Sequence, residues 1–451
     1  MAKNISKFPF ILTLFIALFV AGTTLAQHNH SHTHSGEKHE HKDGHDHNHA
    51  HDHSGHNHDA HAGHDHAKGH DNHAGHDHSH SHHAAPCEGY THATGKRPFN
   101  QAEYNETVLA HINDANEIHV VGNFSIPLPC ILYSKDKGVD AFLSSKFHHG
   151  HDSYKGYVSF HGNVKRPAPG SGFPQDKSVP VSFNMDGSKV CANGKIYPLE
   201  EASALTGFTS WYDFSVSKTV VAMLLASLLL FFIFSRMASR YKRAPGEAPK
   251  GIQAVFEPLI VFLTDNVIKP IIGPKYIKYA PFLLTLFFFI VALNLMGLIP
   301  GFGFNATGNL AITLALAVIT LIVYLVSGNG HYWQHMLWMP GLPVVMKPIM
   351  AVIEAFSNFL IKPGTLMLRL FANITGGHIV ILSLVGLVFL FGNNGMSAGG
   401  GALGGLVATI FVLFMNVLEL LVAFLQAFIF MTLATVYIGQ AVEEPHHAEH
   451  H

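Results

Sequence analysis

From about residue 215 onward the chain carries apolar runs that reach the ~20 residues a helix needs to cross a bilayer. Nothing else in the sequence limits the fold so strongly, because backbone polar groups in hydrocarbon must all be satisfied internally. Composition bears on function at one point: 28 Lys+Arg against 30 Asp+Glu offers no case for nucleic-acid binding. Only 13% of residues are charged and 34 are Phe. The expectation is an all-α membrane protein with soluble attachments.

The attachments come first. "MAKNISK" is basic, "FPFILTLFIALFVAG" is a short apolar core, and small residues precede a cleavage point after Ala26. Residues 1–26 therefore read as a secretory signal peptide, with an uncleaved anchor as the alternative, and in both cases the next segment is exported. Residues 27–85 alternate His and Asp among small residues and are predicted to be a disordered segment, unable to bury a core. Imidazole and carboxylate at this density bind zinc, copper or nickel ions diffusely, and a solvated, dispensable tail is the plainer reading. Residues 86–210 carry the β-like runs "EIHVVGNFSIPLPCILYS", "GYVSFHG" and "VPVSFNM", which predict a small exported domain. His148, His149 and His151 in "FHHGHDSY" read as a surface loop, since no carboxylate or cysteine recurs at a fixed ligand spacing. Cys87, Cys130 and Cys191 permit at most one intramolecular disulfide and fit neither a CxxC redox pair nor a zinc ribbon.

The membrane part, residues 211–444, opens with one span at about 216–237. Arg236, Arg240, Lys242, Arg243 and Lys250 crowd its end, which places that end in the cytoplasm and the N-terminal part outside. "GIQAVFEPLIVFLTDNVIKPIIG", interrupted by Pro258 and Pro270, reads as an interfacial segment. A transmembrane hairpin comes next, "YAPFLLTLFFFIVALNLMGLIPG" with "NLAITLALAVITLIVYLVSG", and Asn294 and Asn309 lie near its turn as interhelical glue. Two long helices end the region: about Pro348 to Phe391 with a break at Pro363-Gly364, then about Ala402 to Ala441. Each approaches ~60 Å, about twice the ~30 Å hydrocarbon core, so both must tilt or curve. Residues 445–451 form a short His-rich tail.

The two long helices carry polar stripes. Thr365, Arg369, Asn373 and Gly376 recur at helical spacing and share one face, small enough for another helix to approach. An arginine at bilayer depth costs at least ~2.5–3.5 kcal/mol, so it is there for function. It cannot lose its proton and acts as a fixed positive charge, one that draws a carboxylate on a partner helix into the ionised state. On the second helix Asn416, Glu419, Ala423 and Gln426 form another stripe. In an antiparallel hairpin, facing residues share a midpoint. Arg369 with Gln426, and His378 with Glu419, both have theirs near residue 398, inside "GMSAGGG", where the turn is expected. His378 lies half a turn round from Arg369, and with Glu419 it forms a titratable pair.

At these residues the sequence resembles subunit a of the F-type ATP synthase. The likeness rests on "LIKPGTLMLRLFANITGGH", "LLVAFLQAFIFMTLATVYIGQAVEE" and "LNLMGLIPGF…NLAITLALA", and runs from about Trp211 to Glu444. The resemblance implies a proton-translocating stator subunit, not catalytic alone and without cofactor, that forms two half-channels against the rotating c-ring. Arg369 corresponds to the essential arginine that faces the c-ring carboxylate, with Asn373 and Gln426 beside it. His378 and Glu419 correspond to the polar pair of the proton-uptake half-channel. Thr365, Asn416 and Asn309 are weaker candidates for the path. The implied partners are the c-ring, the peripheral-stalk subunit b and, indirectly, the catalytic head, in the cell inner membrane with the C-terminus cytoplasmic and the N-terminal extension periplasmic. The stretch from Glu354 to Pro363 is one residue longer than the family pattern. The main rival is a divalent-metal transporter, which a central arginine opposes by repelling cations, and a third reading is a bare membrane anchor for the exported domain.

Overall fold

The computed structural model describes Cys87 and residues 114–443, apart from 122–123, 185, 203–210, 244–246, 300–305, 340, 342 and 392–397. The expected signal peptide, His-rich segment and His-rich C-terminal tail lie outside the described residues.

Strands β1 (Glu117–Val121) and β2 (Phe124–Pro127) pair as a hairpin. β3 (Pro129–Ser134), β4 (Gly138–Leu143) and β10 (Trp211–Asp213) form an antiparallel sheet in the order β10-β3-β4. A second antiparallel sheet joins β5 (Val158–Phe160), β6 (Asn163–Pro167), β7 (Val181–Phe183), β8 (Lys189–Ala192) and β9 (Lys195–Glu200) in the order β5-β6-β9-β8-β7. Alternation sets the faces: in β3, Cys130, Leu132 and Ser134 are buried while Pro129, Ile131 and Tyr133 are exposed. The buried side meets Phe147, Tyr157 and Trp211, and a separate core of Val158, Phe173, Phe183, Val190 and Tyr197 lies under the larger sheet. Of the three pairings open to the cysteines, the fold makes Cys87–Cys191. Cys130 keeps its thiol, which burial pushes up to about 12.

Trp211–Asp213, which the sequence reading assigns to the membrane part, is thus a strand of this domain. The chain leaves it directly into the first span. Val216 N–H donates to the Pro129 carbonyl at 3.0 Å, Lys218 N–H to the Ala115 carbonyl at 2.9 Å, and Thr219 N–H to Asp114 Oδ1 at 3.2 Å. The last two occupy donors of a helix N-terminus that otherwise have no intrahelical partner.

The helices are α1 (Lys218–Arg243), α2 (Ile252–Leu263), α3 (Lys269–Ile272), α4 (Tyr276–Gly297), α5 (Leu310–Ser327), α6 (Gly330–Leu337), α7 (Lys347–Phe356), α8 (Lys362–Phe391) and α9 (Ala398–Val442). Among the described residues, five stretches are long and apolar enough to cross a membrane: 218–243, 252–297, 310–327, 347–386 and 402–442. On α1, Met223, Ala226, Leu230, Phe234 and Met237 are buried at helical spacing, with Phe234 5.1 Å from Phe288 of α4. Leu224, Leu225, Leu228, Leu229 and Phe232 stay exposed on the other side, as lipid contact requires. The segment expected to be interfacial is helical and runs on through α2 and α3 into α4 with little interruption.

No break falls at Pro363-Gly364. The interruption is a π-turn just upstream, Ser357–Ile361, and a second π-turn, Thr264–Ile268, separates α2 from α3. Both run into the same tripeptide, Ile-Lys-Pro, at 268–270 and 361–363. In each, the lysine N–H reaches five residues back, Lys269 to Thr264 and Lys362 to Ser357. The next donor in line would come from proline, which has none. A π-turn absorbs one additional residue within a helix.

Candidate functional site

Helices α8 and α9 run antiparallel, as two cross-contacts fix. Near one end His378 Nδ1 stands 3.7 Å from Glu419 Oε1, and near the other Lys362 Nζ stands 3.3 Å from Gln440 Oε1. The midpoint reading of the hairpin therefore predicts the observed facing of His378 and Glu419. Glu419 is buried, and among the described residues its Oε2 has no hydrogen-bond partner. A side chain that can carry negative charge is held there with one oxygen unsatisfied, a burial that a cationic neighbour or a water would offset. His378 is 23% exposed, so the pair opens to the surroundings on the imidazole side.

Two neighbours set the position of Glu419. Gly377 leaves room for it: a Cβ there would lie 3.2 Å from Oε1 and 3.3 Å from Cδ of Glu419. One turn along α9, the Ala423 carbonyl accepts from Asn294 Nδ2 at 3.0 Å, and Asn294 Oδ1 accepts from Thr307 at 2.8 Å. Asn294, buried on α4, thereby ties α9 to the helix behind it at the depth of the acid.

Arg369 is half-buried on α8 and, among the described residues, has no carboxylate partner. Leu366, Leu370 and Ile374 point inward at spacings of four residues, while Thr365, Asn373 and Gly376 lie exposed on another side. Gln426 on α9 is buried. No hydrogen bond joins Arg369 to Gln426 among the described residues, so the structure brings together His378 and Glu419 but not this second expected pair. Thr365 donates to the Lys362 carbonyl at 2.9 Å, and Asn416 donates to the Val412 carbonyl at 2.9 Å, both within their own helices. Asn309 caps α5, its Oδ1 accepting from Ala311 N–H at 3.0 Å. These three serve local backbone geometry.

A cluster that sequence reasoning missed lies on the other side of Arg369. Asn358, fully buried in the π-turn, donates to the Glu354 carbonyl at 2.9 Å and to Glu354 Oε1 at 3.1 Å. Its Oδ1 accepts from Lys362 Nζ at 2.6 Å and from the Tyr332 hydroxyl at 3.2 Å. Its backbone carbonyl accepts from the Tyr324 hydroxyl. The cause is the missing donor: Lys362 N–H is committed to Ser357, and Pro363 has no N–H. Lys362 Nζ also lies 5.2 Å above the Tyr437 ring. Burial pushes the Tyr332 hydroxyl up to about 12, so it remains a donor at neutral pH. The available signal was the repeated Ile-Lys-Pro together with polar Glu354 and Asn358 four residues apart.

Along α8, Lys362 and His378 lie about 10 and about 13 Å to either side of Arg369. The arrangement is a guanidinium between two polar groups, one partly open through His378, the other built on a π-turn. Among the described residues no three His, Cys, Asp or Glu side chains converge as a metal path would need.

The ATP synthase A chain family matches residues 220–439, and a domain of unknown function matches residues 107–203. ATP synthase subunit a 2 of Chlorobaculum tepidum is 42% identical over 236 residues, 51% of this chain and 64% of that one. Subunit a of Chloroherpeton thalassium is 39% identical over 244 residues, 53% of this chain and 70% of its own. Subunit a of Myxococcus xanthus is 38% identical over 246 residues, 53% of this chain and 77% of its own. All of the polar groups described on α8 and α9 up to residue 439 fall inside the matched region, and on these matches the chain belongs to the ATP synthase A chain family.

Proposed function

We infer that the chain is the proton-translocating stator subunit of an F-type ATP synthase. The observation that carries this reading is the buried Glu419, with one oxygen facing His378 and the other unsatisfied, on the same hairpin as a half-buried arginine with no carboxylate partner among the described residues. Protons from the exported side pass along His378 and Glu419 to a carboxylate on the facing c-ring. Arg369 holds that carboxylate ionised as it leaves the ring's lipid-facing arc and keeps the two access routes from short-circuiting, because a guanidinium does not relay protons at any working pH. Asn373 and Gly376 supply an open, small face for the ring helix. Gln426, buried on α9 and not bonded to Arg369 among the described residues, is a further polar group of the path. The second route, toward the cytoplasm, runs past Glu354, Asn358 and Lys362.

In this reading the subunit lies in the inner membrane beside the c-ring and the peripheral-stalk subunit b, with the β domain on the periplasmic side. Residues 252–275 lie along the cytoplasmic surface, and the basic cluster after α1 agrees with that orientation.

The test is ATP-driven acidification of inverted vesicles that hold the complex with Arg369→Ala. The expected outcome is an assembled complex that hydrolyses ATP without acidifying the lumen. Acidification at the wild-type rate would refute the assignment. Zinc uptake driven by the purified chain alone would favour the metal transporter.

A further inference from the structure

Connections between helices run over the surface as a rule, because buried backbone polar groups need partners. The turn that leads into α5 departs from this: Ala306 and Thr307 are 0% and 1% exposed, and Gly308 is buried beside them. Its polar groups are matched. Asn309 N–H donates to the Ala306 carbonyl at 3.1 Å, and the Thr307 hydroxyl donates to Asn294 Oδ1 at 2.8 Å. The Thr375 hydroxyl of α8 donates to the Gly308 carbonyl across a longer 3.4 Å.

Two adjacent residues of this turn therefore reach both helices that carry the His378–Glu419 pair. On the α8 side, Thr375 precedes His378 by about one helical turn. On the α9 side the link runs through Asn294, whose Nδ2 donates to the Ala423 carbonyl. That carbonyl can only accept, so Nδ2 must face it, and Oδ1 is left needing the donor that Thr307 supplies. Within α9, the N–H of Ala423 closes the helical bond to the carbonyl of Glu419. The surroundings offer no competing charge from behind. Between them α4 and α5 hold one charged residue, Lys278, about 24 Å along α4 from Asn294. Among the described residues the ionisable group set against Glu419 is His378, with Arg369 further along α8.

We propose that Thr307 is a positioning residue for the titratable pair. Through Asn294 it holds the part of α9 that carries Glu419, and through its neighbour Gly308 the same turn holds α8 next to His378. This buried turn thereby sets the gap across which the imidazole and the carboxylate face each other. Thr307 acts through the Asn294 amide and the α9 backbone and takes no proton itself. The inference rests on the proton-path reading given above.

The experiment is ATP-driven acidification of inverted vesicles that hold the whole complex, measured across pH and expressed per assembled complex. Thr307→Val keeps the shape and removes the donor, Thr307→Ser restores a hydroxyl, and Asn294→Asp turns an acceptor toward the Ala423 carbonyl. Thr307→Val should pump about tenfold more slowly, because a small misplacement of a catalytic group is costly. Its pH profile should also move by about half a unit or more, since the profile reports the groups that carry the proton. Thr307→Ser should return the rate to within about twofold of wild type with the wild-type profile. Asn294→Asp should be impaired at least as much as Thr307→Val. A wild-type rate and profile in Thr307→Val overturns the proposal, and so does a defect that Thr307→Ser shares or that leaves the profile in place, because both describe a merely structural residue. Should Thr307→Val fail to assemble, Asn294→Asp decides, and wild-type pumping there overturns the proposal equally. Arg369→Ala, run alongside, separates the two readings. Pumping lost there but unchanged in Thr307→Val refutes the positioning role alone, whereas pumping retained in Arg369→Ala refutes the proton path and this role with it.

Discussion

Glu419 presents Oε1 to His378 Nδ1 across 3.7 Å, while its Oε2 is buried with no partner among the described residues. The two residues come from helices whose connection lies between them in sequence, so each depends on the other for its environment. Removing either partner leaves the remaining polar group in a low-dielectric site without the group it faces. His378→Glu alone and Glu419→His alone should each lower proton-driven ATP synthesis by roughly 100-fold. The double exchange restores one imidazole and one carboxylate at that depth and should recover most of the loss, since groups in contact are not additive. A double exchange no better than the worse single variant would show that the pair does not act together.

Gly377→Ala separates stability from function. A helix interior gains up to ~1 kcal/mol from the change, yet the new Cβ would stand 3.2 Å from Glu419 Oε1 and displace the carboxylate. We expect unchanged or raised thermal stability together with proton pumping lowered roughly tenfold. Adding Glu419→Asp, one methylene shorter, should return part of the activity. Pumping at the wild-type rate in Gly377→Ala would mean that the position of Glu419 is not critical.

Arg369→Lys keeps the charge at neutral pH in water but not in a dry site, where an ammonium can deprotonate and a guanidinium cannot. ATP-driven pumping should fall at least ~100-fold while subunit assembly, read by native gel electrophoresis, is retained. Any residual activity should decline further as pH rises, because lysine loses its charge in that direction. A flat pH profile at high activity would contradict the fixed-charge role.

Tyr324→Phe removes the donor that serves the Asn358 carbonyl. That carbonyl then faces Pro363 with nothing to accept from, at a cost of about 1–3 kcal/mol. The expected readout is a lower thermal midpoint for the purified subunit. A matched substitution at Tyr133, an exposed residue of β3, should leave it in place.

Cys87→Ser opens a covalent loop that spans 104 residues of sequence. Loss of that constraint should destabilise the β domain by about 2–5 kcal/mol, measured by denaturant unfolding with and without reductant. Cys130 supplies an internal check. Its pKa is pushed up to about 12, so the thiol stays protonated at pH 8 and should resist alkylation in the folded protein. Labelling should begin only under the denaturant concentrations that unfold the domain.

Much of the membrane part was legible because its signals are local or periodic. Run length marks a span, and a midpoint shared by two polar pairs predicts a hairpin whose His378–Glu419 facing the structure displays. The π-turns are hidden because an extra helical residue leaves hydrophobic periodicity almost intact, so Pro363 reads as a break when the irregularity lies before it. The stripe through Asn416 has the right spacing, but spacing does not reveal that an amide can turn back onto its own helix, as this one does to Val412. The partner of Cys191 was illegible for another reason: three cysteines allow three pairings, and only the fold chooses among them. Trp211 falls on the wrong side of the expected boundary because β10 pairs with β3, almost eighty residues earlier, and no local pattern records that contact.

The hydrogen bonds from Val216, Lys218 and Thr219 back to Pro129, Ala115 and Asp114 make the seam between β domain and first span a joint without a hinge. A force applied to the domain is delivered to α1 as torque, and any tilt of α1 swings the domain like a signal arm. For engineering, the portable cassette is set by these bonds and not by the apolar boundary in the sequence. A transplant that carries residues 114–219 keeps its pose on a new helix, whereas one cut at 210 leaves behind the strand and the caps that aim it.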